Sequence, residues 1–85
     1  MEQNVSLHDK MLAHLYRYRY VRNDIEYDAP YELTQEGSGI AIGITRSHAS
    51  IILARMMDKG EVSTSKSIIK GAPKAIRRKV YHITP

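Results

Sequence analysis

Two threonines and two glycines divide the middle of the chain into two segments of helical pattern. In chain order they are Thr34, Gly43, Thr45 and Gly60. A threonine hydroxyl caps the free amides of a first helical turn, and glycine ends a helix because it adopts the left-handed conformation readily. The spacing predicts a short helix from Gln35 to about Ile42, a turn of three or four residues, and a longer helix from Thr45 to about Lys59. This is a helix-turn-helix unit.

The residues around Gly43 fit that unit at nearly every position. Gly37 and Gly39 each cost about 1 kcal/mol in a helix interior relative to alanine, so we expect both to permit a close approach between the two helices. Ser38 stands where an apolar residue is expected, and Ile40 is predicted to fill that space. The residues predicted to pack inward from the turn and the second helix are Ile42, Ile44, Ala49, Ile52, Leu53 and Met56.

The first part of the chain predicts one long helix. Ser6 and Asp9 resemble a capping pair, and a helix from about Leu7 to Tyr20 follows. Its core stripe is Leu7, Met11, His14, Leu15 and Tyr18. A second stripe roughly opposite, Leu12, Tyr16 and Tyr20, predicts that the helix is either deeply buried or in contact with another subunit. In so small a domain the subunit contact is favoured, and these three residues are the candidate contact of an expected homodimer. Stacking of these tyrosines on single-stranded nucleic acid is the weaker alternative, because a helix scatters them around its axis.

The remaining segments predict strands. Tyr31-Glu32-Leu33 predicts a very short strand, and residues 62–69 and 77–84 predict two longer ones. Residues 70–74, between them, contain glycine, proline and lysine and predict the turn of a hairpin. The predicted fold class is α+β, a winged helix-turn-helix with three helices and a C-terminal β-hairpin wing. Residues 1–85 are expected to form one domain.

Composition argues against several classes of site. No cysteine is present, which excludes disulfides, zinc ribbons and thiol catalysis. The histidines lack the i, i+4 spacing of helical metal ligands, so we expect no metal and no cofactor. The glycines of residues 37–43 miss the spacing of a dinucleotide-binding loop, and no nucleophile stands beside a base, so we expect no enzyme. With no long apolar stretch and no signal segment, a cytoplasmic, nucleoid-associated protein without a membrane partner is expected. No small-molecule effector site is recognisable.

Charge is distributed unevenly along the chain. Residues 1–36 carry a net charge of −3, residues 37–62 carry +1, and residues 63–85 carry six basic residues and no acidic one. A positive segment on a nearly neutral body indicates an anionic partner. A solubilising terminus explains the charge equally well when the charge is taken alone.

Three stretches resemble prokaryotic, particularly archaeal, winged helix-turn-helix transcriptional regulators. They are Thr34-Gln35-Glu36-Gly37, the run from Gly43 to Ser50 (GITRSHAS), and the ending from Arg77 to Pro85 (RRKVYHITP). The resemblance covers residues 7–85, and in such relatives the Thr-Pro ending leads into more chain. This chain is therefore compatible with the N-terminal domain of a longer protein.

The resemblance implies binding of double-stranded DNA, and the polar residues suit that task. The second helix of the unit enters the major groove with its N-terminus first. Its expected DNA contacts are Thr45, Arg46, Ser47, His48 and Ser50, with Thr34 and Gln35 on the preceding helix. The expected wing contacts are Lys66, Lys70, Lys74, Arg77, Arg78 and Lys79.

One feature of the second helix disagrees with base recognition. Ile51 and Ala54 are expected on its outward face with Ser47, Ser50 and Asp58, and neither can hydrogen-bond a base. They can touch thymine methyl groups, or the helix can contact protein instead. The main alternative is therefore a winged-helix protein-interaction module of a larger sensor or ATPase-linked protein. RNA binding is a third possibility.

Overall fold

The computed structural model describes residues 6–22, 24–72 and 76–84. Within these ranges the protein is α+β, with three α-helices and a two-stranded antiparallel sheet. The elements are α1 (Leu7–Tyr16), a 3₁₀ turn (Tyr31–Leu33), α2 (Gln35–Ile42), α3 (Arg46–Asp58), β1 (Val62–Ser67) and β2 (Arg78–Ile83). None of the helices in the described ranges has the length and apolar character needed to cross a membrane.

Side-chain caps begin all three helices, as the sequence predicts. The Asp9 amide donates to the Ser6 hydroxyl at 3.1 Å, which caps α1. Thr34 accepts from the Gly37 amide at 3.0 Å, and Thr45 accepts from the His48 amide at 3.1 Å. Gly43 ends α2 with φ of 82°, in the left-handed region. The helix–turn–helix spacing of the sequence is therefore confirmed.

Helix α1 ends at Tyr16, four residues before the predicted end at Tyr20. The chain tightens after Leu15, because the Tyr18 amide bonds back to the Leu15 carbonyl and the Arg19 amide to the Tyr16 carbonyl. The Arg19 guanidinium also donates to the Tyr16 carbonyl, which a continuing helix would offer to the Tyr20 amide. Residues 17–20 are consequently turns, and Tyr20 does not lie on the helix.

The predicted strand at residues 31–33 is wrong. The amides of Leu33 and Thr34 bond back to the carbonyls of Pro30 and Tyr31, which winds this segment into a 3₁₀ turn. The strand contact comes one residue later, where Thr34 forms an antiparallel bridge with Val80 of β2. The start of α2 is thereby attached to the hairpin.

The hairpin pairs Val62 with Ile83 at one end and Ser67 with Arg78 at the other. Strand β1 ends at Ser67, two residues earlier than predicted, because the chain then pairs with a different segment. The Ile68 amide donates to the Glu26 carbonyl, and the Ala29 amide donates to the Ile68 carbonyl. Part of the predicted turn, residues 73–74, lies outside the described residues.

The core lies between α1, α3 and β2. Its least exposed members are Met11, Leu15, Leu33, Ala49, Leu53, Met56 and Val80. Ser38 is also fully buried, and its hydroxyl donates to the Glu32 carbonyl at 2.8 Å. A hydrogen bond thus replaces the apolar contact expected at this position. Ile40 is 68% exposed, so the prediction that it fills the space is wrong.

Candidate nucleic-acid interface

A cleft of about 450 Å³ lies where the first residues of α2 and α3 meet the start of β2. We name it the cationic cleft. Its lining is Thr34, Gln35, Glu36, Arg46, Ile76, Arg78 and Lys79. Five of these seven residues are predicted DNA contacts, and they come from three separate segments of the chain, at positions 34–35, 46 and 78–79. The fold therefore gathers one part of the predicted interface at one place.

Local hydrogen bonding explains how the three elements meet. Thr34 both caps α2 and bridges Val80, which fixes the first turn of α2 beside β2. The Gln35 side-chain amide donates to the Arg46 carbonyl at 3.5 Å, a long contact that links the starts of α2 and α3. The Tyr81 hydroxyl donates to the side-chain oxygen Oε1 of Gln35 at the same distance. Gln35 therefore stands at the junction of all three elements.

The cleft has three cations and one carboxylate in its lining. The Tyr31 hydroxyl donates a hydrogen bond to the Glu36 carboxylate at its edge. This bond, more than burial, raises the pKa of Tyr31 above its ordinary value, and the nearby charges of Arg78 and Arg46 act in the opposite direction. The Tyr31 hydroxyl therefore lies near the guanidinium groups of Arg78 and Arg46 as well as the Glu36 carboxylate.

A second concentration of positive charge lies across the hairpin. Lys66 of β1 stands directly opposite Lys79 of β2, and the next pair places Arg78 opposite Ser67. Like charges directly opposite in an antiparallel pair destabilise it. No acidic residue occurs on either strand to offset them. An anion bound at this end of the hairpin would relieve the repulsion.

No family model matches this chain, and no curated protein or solved structure matches it significantly. The role of the cationic cleft must therefore be argued from the residues of this chain alone. In the described part of the chain, no group of three His, Asp or Glu side chains is arranged to hold a metal ion. The charge and shape of the cationic cleft are therefore the features that indicate the kind of ligand.

Some predicted contacts lie away from the cationic cleft. His48 lines a different cleft, with His8, Arg55 and Lys59 on the side of α3 that faces the start of α1. The Arg77 guanidinium lies 6.0 Å from the centre of the Tyr27 ring and does not line the cationic cleft. Lys70 is exposed in the turn after β1. Lys74 lies outside the described residues.

The outward face of α3 is as the sequence predicts. Ser47, Ala54 and Asp58 are exposed, Ser50 is half-buried, and Ile51 is 52% exposed. This helix therefore offers hydroxyls in its first turns and an apolar surface farther along. The geometry is compatible with contact to thymine methyl groups and with contact to protein.

The three residues predicted to form a subunit contact do not share one exposed face. Leu12 is half-buried against the core, whereas Tyr16 and Tyr20 are 53% and 75% exposed. The two tyrosines line a second cleft of about 530 Å³, which His82 also lines. Tyr18 packs against the core, with its ring edge-to-face to His14. Only the tyrosines remain available to a partner.

Sequence reasoning did not identify Glu36 and Tyr31 as members of the interface. The sequence places Glu36 in the first turn of the predicted helix and predicts a strand at Tyr31. Their contact depends on the 3₁₀ turn, which returns Tyr31 to the first turn of α2. No local pattern in the sequence signals that return.

Proposed function

We propose that this chain is a winged helix-turn-helix domain that binds double-stranded DNA selectively and regulates transcription in the cytoplasm. The observation that carries the proposal is the cationic cleft, where Arg46, Arg78 and Lys79 converge beside the free amides of α2. Anions are stabilised at helix N-termini, and arginine binds phosphate in a bidentate manner. A surface of this charge and shape suits a nucleic-acid backbone.

The proposed binding mode places α3 in the major groove. With 13 residues, α3 is about 20 Å long, and its diameter with side chains suits a groove about 12 Å wide. Thr45, Arg46, Ser47 and Ser50 stand on its first two turns and lead into the groove. Arg46 is the one residue that both begins α3 and lines the cationic cleft. It can bind a guanine edge or the adjacent phosphate.

The hairpin supplies the second contact in this mode. Lys66 and Lys79 are directly paired and share one face of the hairpin, and Arg78, the next residue along β2, lines the cationic cleft with Lys79. These side chains would neutralise phosphates that flank the groove occupied by α3. The proposed function is binding alone and involves no reaction step.

A salt series on duplex binding tests the proposal. The logarithm of the affinity should fall linearly with the logarithm of salt concentration, by about 0.9 for each phosphate contact. Arg46→Ala should weaken binding by about 1–3 kcal/mol if the guanidinium holds a base bidentately, and only on duplexes with that base. An equal loss on every sequence would make Arg46 a phosphate contact.

Arg55→Ala is the matched control, because Arg55 is also exposed on α3 but lines the cleft beside the start of α1. It removes the same charge from the same helix and should cost much less. Equal losses from both variants would contradict an interface at the cationic cleft. Weak binding that does not respond to salt would contradict the electrostatic mechanism altogether.

A protein-interaction module is the second candidate, favoured by the exposed Ile51 on α3 and Ile40 on α2. Replacing Ile51 by Ser separates the two functions. On a DNA-binding helix it should change selectivity at thymine-containing positions and leave the salt dependence intact. On a protein-binding helix it should leave duplex binding unchanged on every sequence.

A further inference from the structure

Among the residues that the structure describes, Glu36 is the one acidic side chain in the lining of the cationic cleft. Its position in the first turn of α2 places the carboxylate at the positive end of that helix. The carboxylate therefore stands among the groups that would attract a phosphate: the α2 amides, Arg46, Arg78 and Lys79.

Tyr31 holds the carboxylate at the edge of the cleft. Its hydroxyl donates to Glu36 across the short 3₁₀ turn, and its ring is only 38% exposed. The backbone beneath is itself fixed, because the Thr34 amide and hydroxyl both bond to the Tyr31 carbonyl, at 2.9 and 2.7 Å. A surface glutamate normally moves freely, whereas this one has a fixed partner.

We propose that Glu36, positioned by Tyr31, is an internal competitor of DNA phosphate in the cationic cleft. The inference rests on the proposed DNA binding and concerns how tightly that site holds the backbone. A phosphate that enters the cleft meets the carboxylate at close range, and the repulsion is the same for every base sequence. Glu36 thus lowers affinity for all duplexes and keeps binding readily reversible.

Replacing Glu36 by Gln tests the proposal, since the amide keeps the shape and removes the charge. Glu36→Gln should raise affinity about fivefold, and by the same factor on a selected duplex and on a random one, because a solvent-exposed charge interaction contributes at most about this factor. The slope of log affinity against log salt should become steeper by about 0.9 if one more phosphate is seated. Removing an acid from the first turn should also lower the melting temperature slightly.

Two matched controls are available in the chain. Glu26→Gln makes the same chemical change at an exposed glutamate that lines a different cleft, and it should leave the affinity and the slope nearly unchanged. Tyr31→Phe releases the carboxylate and should raise affinity less than Glu36→Gln does. Tyr27→Phe is its control, because Tyr27 is exposed and a phenylalanine keeps the ring that faces Arg77.

The possible results separate this inference from the proposed function. Tighter binding by Glu36→Gln on all duplexes supports the competitor role, even if the wild-type protein binds too weakly to measure. A wild-type protein that binds with a salt dependence while Glu36→Gln binds identically overturns the role of Glu36 alone. Weaker binding by Glu36→Gln on the selected duplex also overturns it, because the carboxylate would then contact a base. Absence of binding by both proteins overturns the proposed function together with the inference.

Discussion

Gly37 and Gly39 show how differently two neighbouring glycines are used. A Cβ on Gly39 would lie 3.1 to 3.3 Å from atoms of Ile44, Thr45 and Ala49, so this residue permits the close approach of α2 to the turn and to α3. A Cβ on Gly37 would overlap the Tyr31 carbonyl instead. The expected helix–helix approach is thus found for Gly39, while Gly37 faces the 3₁₀ turn.

Gly37→Ala should therefore destabilise the protein, although alanine is the better helix former. The atoms it meets are backbone and cannot move aside, so a cost of about 1–3 kcal/mol in the free energy of unfolding is expected from overpacking. Gly39→Ala is the control, since it gains the same helix propensity and meets looser contacts. Urea unfolding measures both, and a Gly37→Ala protein as stable as Gly39→Ala would contradict the contact.

The caps could be predicted from single residues, because each depends on a side chain and an amide three positions away. Thr34, Thr45 and Ser6 are found as expected for this reason. The role of Gly37 could not be predicted in this way. Its neighbour is a carbonyl whose position depends on the winding of Tyr31–Leu33, and the sequence there suited a strand as well.

At the scale of elements, the errors lie at ends that tertiary contacts decide. The residues after β1 leave the hairpin because Glu26 and Ala29 offer backbone partners to Ile68 and Lys70. Periodicity within the segment carries no information about a partner forty residues earlier. The content of Ser, Thr and Ile in residues 62–69 therefore predicts a longer strand than the fold contains.

Strand β2 contains a buried histidine, His82, through which we expect the stability of the fold to depend on pH. His82 is 5% exposed, its Nε2 lies 3.0 Å from the Ser65 hydroxyl, and its Nδ1 has no hydrogen-bond partner among the described residues. Burial lowers the pKa of His82 below its ordinary value of 6.5. The ionisable residues that line the same cleft are tyrosines and the two arginines Arg19 and Arg22, with no acid among them.

Stability should consequently fall as the pH drops below about 6.5. In the window between the lowered pKa and 6.5, the unfolded chain binds the His82 proton and the folded protein does not, so acid favours unfolding. Above this window His82 is neutral in both states and contributes no pH dependence. Chemical unfolding at a series of pH values measures the effect. His82→Gln should flatten this part of the profile, whereas the exposed His48→Gln should not.

At the scale of the whole molecule, the distribution of charge along the chain could be predicted from the sequence. The face on which each charged side chain lies could not. The excess of basic residues near the end of the chain indicated an anionic partner, and the fold brings Arg78 and Lys79 to Arg46. The same patterns assigned His48 and Arg77 to this surface, but α3 turns His48 toward the start of α1 and Arg77 lies by Tyr27. The face on which a residue lies decides such cases, because a shift of one residue turns the side chain by about 100° in a helix and to the opposite face in a strand.

Self-association remains a prediction, and the fold reduces the number of residues that can form the subunit contact. Leu12 is committed to the core, so Tyr16 and Tyr20 are the residues of the predicted stripe that a second copy can cover. Arg19 stacks on the Tyr16 ring at 4.1 Å, which presents an aromatic and guanidinium surface of the kind enriched in binding hot spots. A small domain also gains stability from a partner, because it buries only about 60% of its unfolded surface by itself.

Sedimentation equilibrium should therefore give twice the mass of the chain at high protein concentration. Tyr20→Glu should shift the protein to monomer, because it places a charge in the contact. Tyr27→Glu changes another exposed tyrosine, outside the predicted stripe, and should leave the dimer intact. Duplexes selected from a random pool should then carry paired half-sites about 34–36 Å apart for the wild type and for Tyr27→Glu. If Tyr20→Glu dimerises normally, the subunit contact lies on another face. If the wild type is monomeric and selects single short sites, the homodimer is excluded and α3 must obtain its selectivity alone.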